Sequence, residues 1–324
     1  MVNNSCVYAN MRIKCLEDQN FNYSDFDSML LLPSSIDRIN FLKNKGWIFD
    51  DSLSEIDDIL KKREEDLFKF VKELVGNLDF LNFILIKKDF SNLKAVIRGV
   101  LSEIDVVDIL DNLALIKPET LLYCVKNQDF ASLPDYIKDV AKESFETLLH
   151  TNDACIADTI IDSCMFKVLN EISSKSELTI VKDYVELLSL YSNFNIVLRA
   201  SKLKKNTKDF LFKALIPCST VDCDKLISFT INREESLIDY LNGLSFSGFL
   251  PFFYREDENY LESWFDASLL NIIKKGQNNY FSRSPIVAYV LLKYLEFKKV
   301  RLVFSSEECS ESELIKIKER LKAA

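Results

Sequence analysis

The sequence predicts an all-α protein. Glycine and proline, the residues that most often form tight turns and interrupt helices, occur only six times each in 324 residues. Apolar residues make up 48% of the chain, which is enough to fill the cores of two or three domains. The apolar spacing i, i+3, i+4, i+7, which is typical of amphipathic helices, recurs along the chain. Long helices joined by short polar connections account for all three observations.

The clearest helical pattern begins at Asn92. Its apolar face consists of Leu93, Val96, Ile97 and Val100. Asp89 or Ser91 is well placed as the N-cap, because a short oxygen-bearing side chain can accept hydrogen bonds from first-turn amides. We therefore expect this helix to begin close to residue 90.

The same pattern returns twice further along the chain. It begins again at Asn193, 101 residues after Asn92, and at Lys299, 106 residues after Asn193. The matching apolar residues are Phe194, Val197 and Leu198 in the second copy and Val300, Val303 and Phe304 in the third. Three copies of one helix are therefore predicted.

Segments outside this helix support the repeat. Residues 113–118 recur as 213–217, and a weaker similarity joins residues 36–42 to residues 237–241. The period of about one hundred residues is domain-sized and exceeds the roughly 34–47 residues of common helical repeats. We therefore expect three helical units, not a solenoid, at residues 1–110, 111–215 and 216–324.

Charge and hydropathy limit the classes of partner. The net charge of −9 at pH 7 argues against a nucleic-acid binder, because such proteins carry a surplus of lysine and arginine. Residues 1–6 lack the basic and apolar regions of a secretory signal, and no stretch approaches roughly eighteen uninterrupted apolar residues. We expect neither a nucleic-acid partner nor a membrane span.

Residues that bind metals or nucleotides are scarce. The eight cysteines are scattered singly, and the closest pair, Cys218 and Cys223, either belongs to a metal site or supplies small core residues, which we favour. His150 is the only histidine, and the phosphate-binding motifs GxxxxGKS/T and GxGxxG are absent. The sequence therefore predicts no catalytic residue, no metal, no cofactor and no bound nucleotide.

One catalytic alternative is a site in which acidic side chains on facing helices bind Mg²⁺ and a diphosphate. Its candidates are Asp50-Asp51 and Asp57-Asp58. Lys61 follows the second pair where a further carboxylate is needed, and no later helix carries a matching cluster. We favour acidic residues near the start of a helix, where they complement the helix dipole.

The third copy carries the most specific motif. Residues 284–293 read SPIVAYVLLK, and residues 296–303 read EFKKVRLV. This motif resembles the C-terminal signature of the C subunits of bacterial and archaeal V/A-type ATPases, which are relatives of the d subunit of eukaryotic V-ATPases. Residues 8–14, with a tyrosine and Asn-x-Arg, resemble the N-terminal helix of that family. Lys299 and Asn195 depart from its pattern, which has asparagine and a basic residue at these positions.

The resemblance implies three similar helical bundles arranged as a funnel with approximate threefold pseudo-symmetry. It implies a non-catalytic central-stalk subunit, a socket between the central axle and the proteolipid ring of the membrane rotor. This subunit transmits rotation that links ATP synthesis or hydrolysis to proton or sodium transport. Its implied location is peripheral, on the cytoplasmic face of the membrane.

The repeated helix also offers candidate interface residues. Lys94 and Arg98 lie at i and i+4 on the face opposite the apolar stripe, and Asn195 with Arg199 repeats this arrangement. With Arg301 of the third copy, these five candidate residues are predicted to line the mouth that accepts the axle. The alternative is an ordinary solvated helix face.

Two further alternatives concern binding. Leu250–Tyr254 forms either an exposed partner-binding loop or, as we favour, an aromatic plug between helical domains. A free-standing helical adaptor is the rival to the ATPase subunit. Such an adaptor typically has a short repeat with a concave face, whereas this repeat is domain-sized.

Overall fold

The computed structural model describes residues 4–16, 19–48, 55–202, 208–232 and 258–322. Their secondary structure is helical, without strands, which confirms the predicted all-α class. The α-helices of these residues are α1 Asn4–Leu16, α2 Tyr23–Leu30, α3 Ser35–Asn44, α4 Ile56–Val75, α5 Asn82–Ser102, α6 Pro118–Lys126, α7 Lys138–Thr151, α8 Ala154–Lys175, α9 Thr179–Lys202, α10 Lys208–Ala214, α11 Cys223–Asn232, α12 Glu258–Gly276, α13 Ser284–Phe304 and α14 Glu311–Lys322. Asp50-Asp51, residues 237–241 and Leu250–Tyr254 lie outside the described residues.

The chain divides into two compact units. The first takes its residues from 1–78, 178–184 and 251–324, and the second from 79–177 and 185–250. The predicted repeats are a property of the sequence, whereas these two units are defined by packing. The repeat borders near residues 110 and 215, and the threefold funnel, stay predictions.

Helix α13 is the central helix of the first unit. Sixteen of its 21 residues are buried, so neighbouring elements enclose it on nearly every side. Pro285 lies in its first turn, where the missing amide proton costs no hydrogen bond. Packing is also close at Gly276, where an added Cβ would lie 2.4 Å from Ile180 Cδ1 and 3.5 Å from Ala288 Cβ. The third-copy motif therefore forms a buried helix.

A buried ion pair lies on α13. Lys293 Nζ donates to Glu296 Oε2 at 2.7 Å, and Trp47 Nε1 donates to Glu296 Oε1 at 3.2 Å. Both side chains of the ion pair are less than a tenth exposed. Because each carboxylate oxygen has a donor, the charge is tolerated inside the unit and fixes the position of Trp47.

Side chains of the N-terminal helices bind both ends of α13. Asn10 Nδ2 on α1 donates to the carbonyl oxygens of Tyr280, at 2.6 Å, and Ser282, at 3.0 Å, just before α13. Arg38 on α3 donates from Nη1 to the carbonyl oxygen of Val303 at 2.6 Å, near the end of α13. These bonds join residues more than 260 positions apart in the sequence.

In the second unit, the first two copies of the repeat make the same contact. Asn92 Nδ2 donates to the carbonyl oxygen of Asp111, and Asn92 Oδ1 accepts the Asp111 N–H, both at 2.9 Å. Asn193 makes the same pair of bonds with Ile216, at 2.8 and 2.7 Å. We call this arrangement the amide clamp. The Asn92 clamp binds the segment that follows its own helix, α5. The Asn193 clamp binds the segment that follows α10, the helix after its own.

The predicted N-cap at Asp89 or Ser91 is wrong. Helix α5 begins at Asn82, because the apolar residues ahead of Asp89 continue its buried face. Asp89 Oδ1 accepts the Ile116 N–H at 2.8 Å, and Oδ2 accepts the Tyr136 hydroxyl at 2.7 Å. Burial raises the pKa of Asp89 to about 6, although both hydrogen bonds favour the charged form. Asp89 is therefore a buried carboxylate in mid-helix.

Asn193→Ala is expected to lower the free energy of unfolding by about 1–3 kcal/mol, because the buried Ile216 N–H loses its acceptor and the Ile216 carbonyl keeps only the weak thiol donor of Cys223. Urea unfolding followed by far-UV circular dichroism measures this change. The matched control is Asn195→Ala, since within the described ranges Asn195 donates only to the Tyr191 carbonyl of its own helix. A change within about 0.5 kcal/mol is expected there. Equal losses in the two variants would contradict the amide clamp.

Asp89→Asn is expected to remove one component of the pH dependence of stability. The pKa of Asp89 in the folded protein, about 6, lies above its ordinary 3.8. The contribution of Asp89 to the free energy of unfolding is therefore fully favourable below pH 3.8 and is lost as the pH rises to about 6. The variant should therefore gain stability relative to the unchanged protein, by at most about 3 kcal/mol, between pH 4 and 6.5. Urea midpoints across that range measure the gain.

The control for this prediction is Asp108→Asn, which neutralises an exposed carboxylate of the same unit. Its stability difference from the unchanged protein should stay constant over the same pH range. A constant difference for Asp89→Asn as well would show that burial does not raise the pKa of Asp89.

Candidate interface residues

Lys94 and Arg98 lie together on one face of α5, as their spacing predicts. Lys94 Nζ lies 2.6 Å from Asp162 Oδ1, and Arg98 forms an ion pair with Asp158. Asp158 and Asp162 are themselves i and i+4 on α8, so the two helices present matching rows of opposite charge. The positive face of α5 is therefore neutralised within the second unit. Both cations keep partial exposure, 26% for Lys94 and 51% for Arg98.

Asn195 and Arg199 occupy the matching positions on α9. Asn195 Nδ2 donates to the Tyr191 carbonyl oxygen one turn earlier, at 3.1 Å. Arg199 is exposed, and no ion pair of Arg199 occurs within the described ranges. Among the described residues, the second copy therefore lacks the paired charges of the first.

Arg301 lies in the first unit, on α13. Its Nη2 and Nε donate to Asp57 Oδ1 at 2.8 and 3.2 Å, and both side chains are exposed. Asp57 and Asp58 lie in the first turn of α4, as the helix-dipole interpretation predicts. Arg301 therefore pairs with one of the carboxylates proposed in the catalytic alternative.

The structure places four of the five candidate residues in the second unit and Arg301 in the first. Lys94, Asn195 and Arg301 share one register, two residues after the start of each copy. Their role as an axle-facing mouth stays a proposal.

Cys218 and Cys223, the candidates for a metal site, have the surroundings of small core residues. Within the described part of the chain, no three His, Cys, Asp or Glu side chains are grouped to hold a metal ion. Cys218 Sγ lies 3.7 Å from the Val221 carbonyl oxygen, and Cys223 Sγ lies 3.4 Å from that of Ile216. Burial raises the pKa of Cys218 to about 11, so its thiol stays protonated at neutral pH. These contacts fit small core residues.

Lys299 is a buried residue whose role sequence reasoning missed. Its Nζ lies 3.5 Å from the Leu321 carbonyl oxygen and 5.4 Å from the centroid of the Phe26 ring. Burial lowers the pKa of Lys299 to about 8. The shared register with Asn92 and Asn193 was the available signal. In all three copies, this position contacts the backbone of a later segment.

The structure also bears on membrane association. None of the helices in the described ranges combines the length and apolarity needed to cross a bilayer.

Comparison with known protein families gives a match over most of the chain. A family model described as ATP synthase (C/AC39) subunit matches residues 9–316. No curated protein sequence matches the chain significantly. The family match includes both amide clamps, α13 and all five candidate residues. The chain therefore belongs to the ATP synthase (C/AC39) subunit family, whose members are non-catalytic subunits of V/A-type ATPases and assemble with the other ATPase subunits.

Proposed function

We propose that this protein is the socket of the central stalk, which couples the central axle to the proteolipid ring on the cytoplasmic face of the membrane. The observation that carries the proposal is the family match over residues 9–316. The same match supports a relationship to the d subunit of eukaryotic V-ATPases. The family match counts against a free-standing adaptor.

The packing of the first unit suits a part that transmits torque. Helix α13 is buried along most of its length, and Asn10 and Arg38 fix the backbone at its two ends. Closely packed interiors have low compressibility and transmit strain instead of absorbing it. A rotation applied to one face of this unit would therefore move the unit as a body.

The ion pairs of Lys94 and Arg98 are compatible with a binding role. Exposed ion pairs contribute about 0–1 kcal/mol to stability, so carboxylates of an incoming axle can replace Asp162 and Asp158 at small cost. Electrostatic complementarity of this kind selects partners and speeds association.

Purification of the native protein with its partners tests the proposed function. An affinity tag on the protein in its own cells, with mild detergent extraction, should recover axle subunits, the proteolipid and ATPase activity. Recovery of the protein without any of these three from such an extract would overturn the proposal.

The axle-facing role of Lys94 and Arg98 has its own test. Lys94→Glu/Arg98→Glu should weaken binding of purified axle subunits by about tenfold or more, because both charges are reversed. Isothermal titration calorimetry measures the affinity, and circular dichroism checks the helix content. Unchanged affinity with intact helices would contradict the role.

A quadruple variant separates interface from structure. Adding Asp158→Arg and Asp162→Lys to the double variant restores both intramolecular ion pairs with their charges exchanged between α5 and α8. If Lys94 and Arg98 contact the axle, stability should return but affinity should not. If the pairs only hold the helices together, affinity should return with stability.

A further inference from the structure

A pocket of about 370 Å³ lies within the first unit. It is bounded by the end of α1, the segment after α3, and the helices α4 and α13. Trp47, Phe70 and Phe297 supply aromatic walls. Its volume falls within the range of about 300–1,000 Å³ that is common for small-ligand sites.

Four charged side chains line this pocket, and three of them have an ion partner. The three pairs are Lys45 with Asp25 at 2.5 Å, Lys293 with Glu296 at 2.7 Å and Asp66 with Lys62 at 3.5 Å. Taken singly, each of these pairs is electrically neutral, although Lys62, which does not line the pocket, also lies 3.9 Å from Glu65. The fourth side chain, Arg63, decides the net charge of the pocket.

Arg63 has no ion pair or hydrogen bond in the part of the chain that the structure describes. Its guanidinium carbon lies 5.2 Å from the centroid of the Trp47 ring, and its Nε is buried without a hydrogen-bond acceptor. Stacking on an aromatic ring compensates only part of the cost of removing a cation from water. Among the described residues, the pocket therefore contains one positive charge without a counter-ion.

Tyr289 adds a neutral donor to the same pocket. No hydrogen bond of its hydroxyl is found among the described residues. Burial, with a smaller contribution from Glu296, raises the pKa of Tyr289 to about 12, and the charge of Arg63 opposes this rise. The hydroxyl is therefore protonated at neutral pH and can donate a hydrogen bond to an anion.

We propose that this pocket binds a carboxylate carried on an apolar or aromatic group. The planar guanidinium of Arg63 can donate two parallel hydrogen bonds to one carboxylate, and the Tyr289 hydroxyl can donate a third. One negative charge matches the one unpaired cation, whereas a phosphate dianion would leave an excess. The aromatic walls then cover the uncharged part of the ligand. A small organic acid or an acidic side chain beside an apolar residue of a partner protein meets this description.

Tryptophan fluorescence offers a direct test, because the chain has only two tryptophans, Trp47 and Trp264. The Trp264→Phe variant of the full chain leaves Trp47 as the reporter in the pocket wall. Titration with phenylacetate should give a saturable change in its emission. Phenylacetamide has the same aromatic group without the negative charge, so its affinity should be lower by about tenfold or more. Equal binding of the two probes, or no saturable response to phenylacetate, would overturn the proposal.

Variants of Arg63 in the Trp264→Phe background show whether this side chain binds the carboxylate. Arg63→Gln should lower the phenylacetate affinity about tenfold or more, while Arg63→Lys should keep an intermediate affinity because it keeps the charge but loses the planar donors. Lys69→Gln, an exposed change on the same helix with the same loss of charge, should leave the affinity unchanged. Full affinity in Arg63→Gln would overturn the assignment, and Arg63→Lys keeps the test valid if Arg63→Gln fails to fold.

Capped dipeptides distinguish the two sources of the carboxylate. N-acetyl-Phe-Glu-amide is compared with N-acetyl-Phe-Gln-amide by the same fluorescence titration. Tighter binding of the glutamate peptide than of phenylacetate identifies an acidic side chain of a partner protein as the natural ligand. Binding of phenylacetate alone identifies a free organic acid, and both results support a carboxylate site.

Discussion

The constraint on which much of the structure depends is the hydrogen bonding of backbone that follows a buried helix. A chain leaving such a helix carries amide and carbonyl groups that are buried and need partners. Asn92 and Asn193 meet this need with one donor and one acceptor each, directed at a single later residue. A side-chain amide can do both at once, because its nitrogen donates and its oxygen accepts. Lys299, which can only donate, contacts a carbonyl from the same register.

Buried and exposed charged side chains differ in the partners that neutralise them. The buried Glu296 has a cation and an indole donor on its two oxygens, and the buried Asp89 has an amide and a phenol donor. On the surface, Lys94 and Arg301 each have a carboxylate partner that a competing anion can replace. Arg63 fits neither group, because it is partly buried and has no counter-ion among the residues that the structure describes. This contrast separates side chains that stabilise the fold from those available to partners.

These features are consistent with a family whose members work by assembly. Among the described residues, closely packed helices and exchangeable surface charges are features that suit the binding of neighbouring subunits. The scarcity of histidine and glycine in the sequence matches the non-catalytic character of the family.

The sequence by itself determined the helical class and the family, because these depend on periodicity and on the order of residues along the chain, whereas the three-copy repeat stays a prediction. It also placed Lys94 and Arg98 on one helix face, since that follows from i, i+4 spacing. The tertiary structure decided which charges are neutralised, because Asp158 and Asp162 come from another helix. It likewise decided that Asp89 is a buried carboxylate and that Arg63 faces Trp47. Such contacts join residues distant in sequence, and only the packing of helices brings them within a few ångströms.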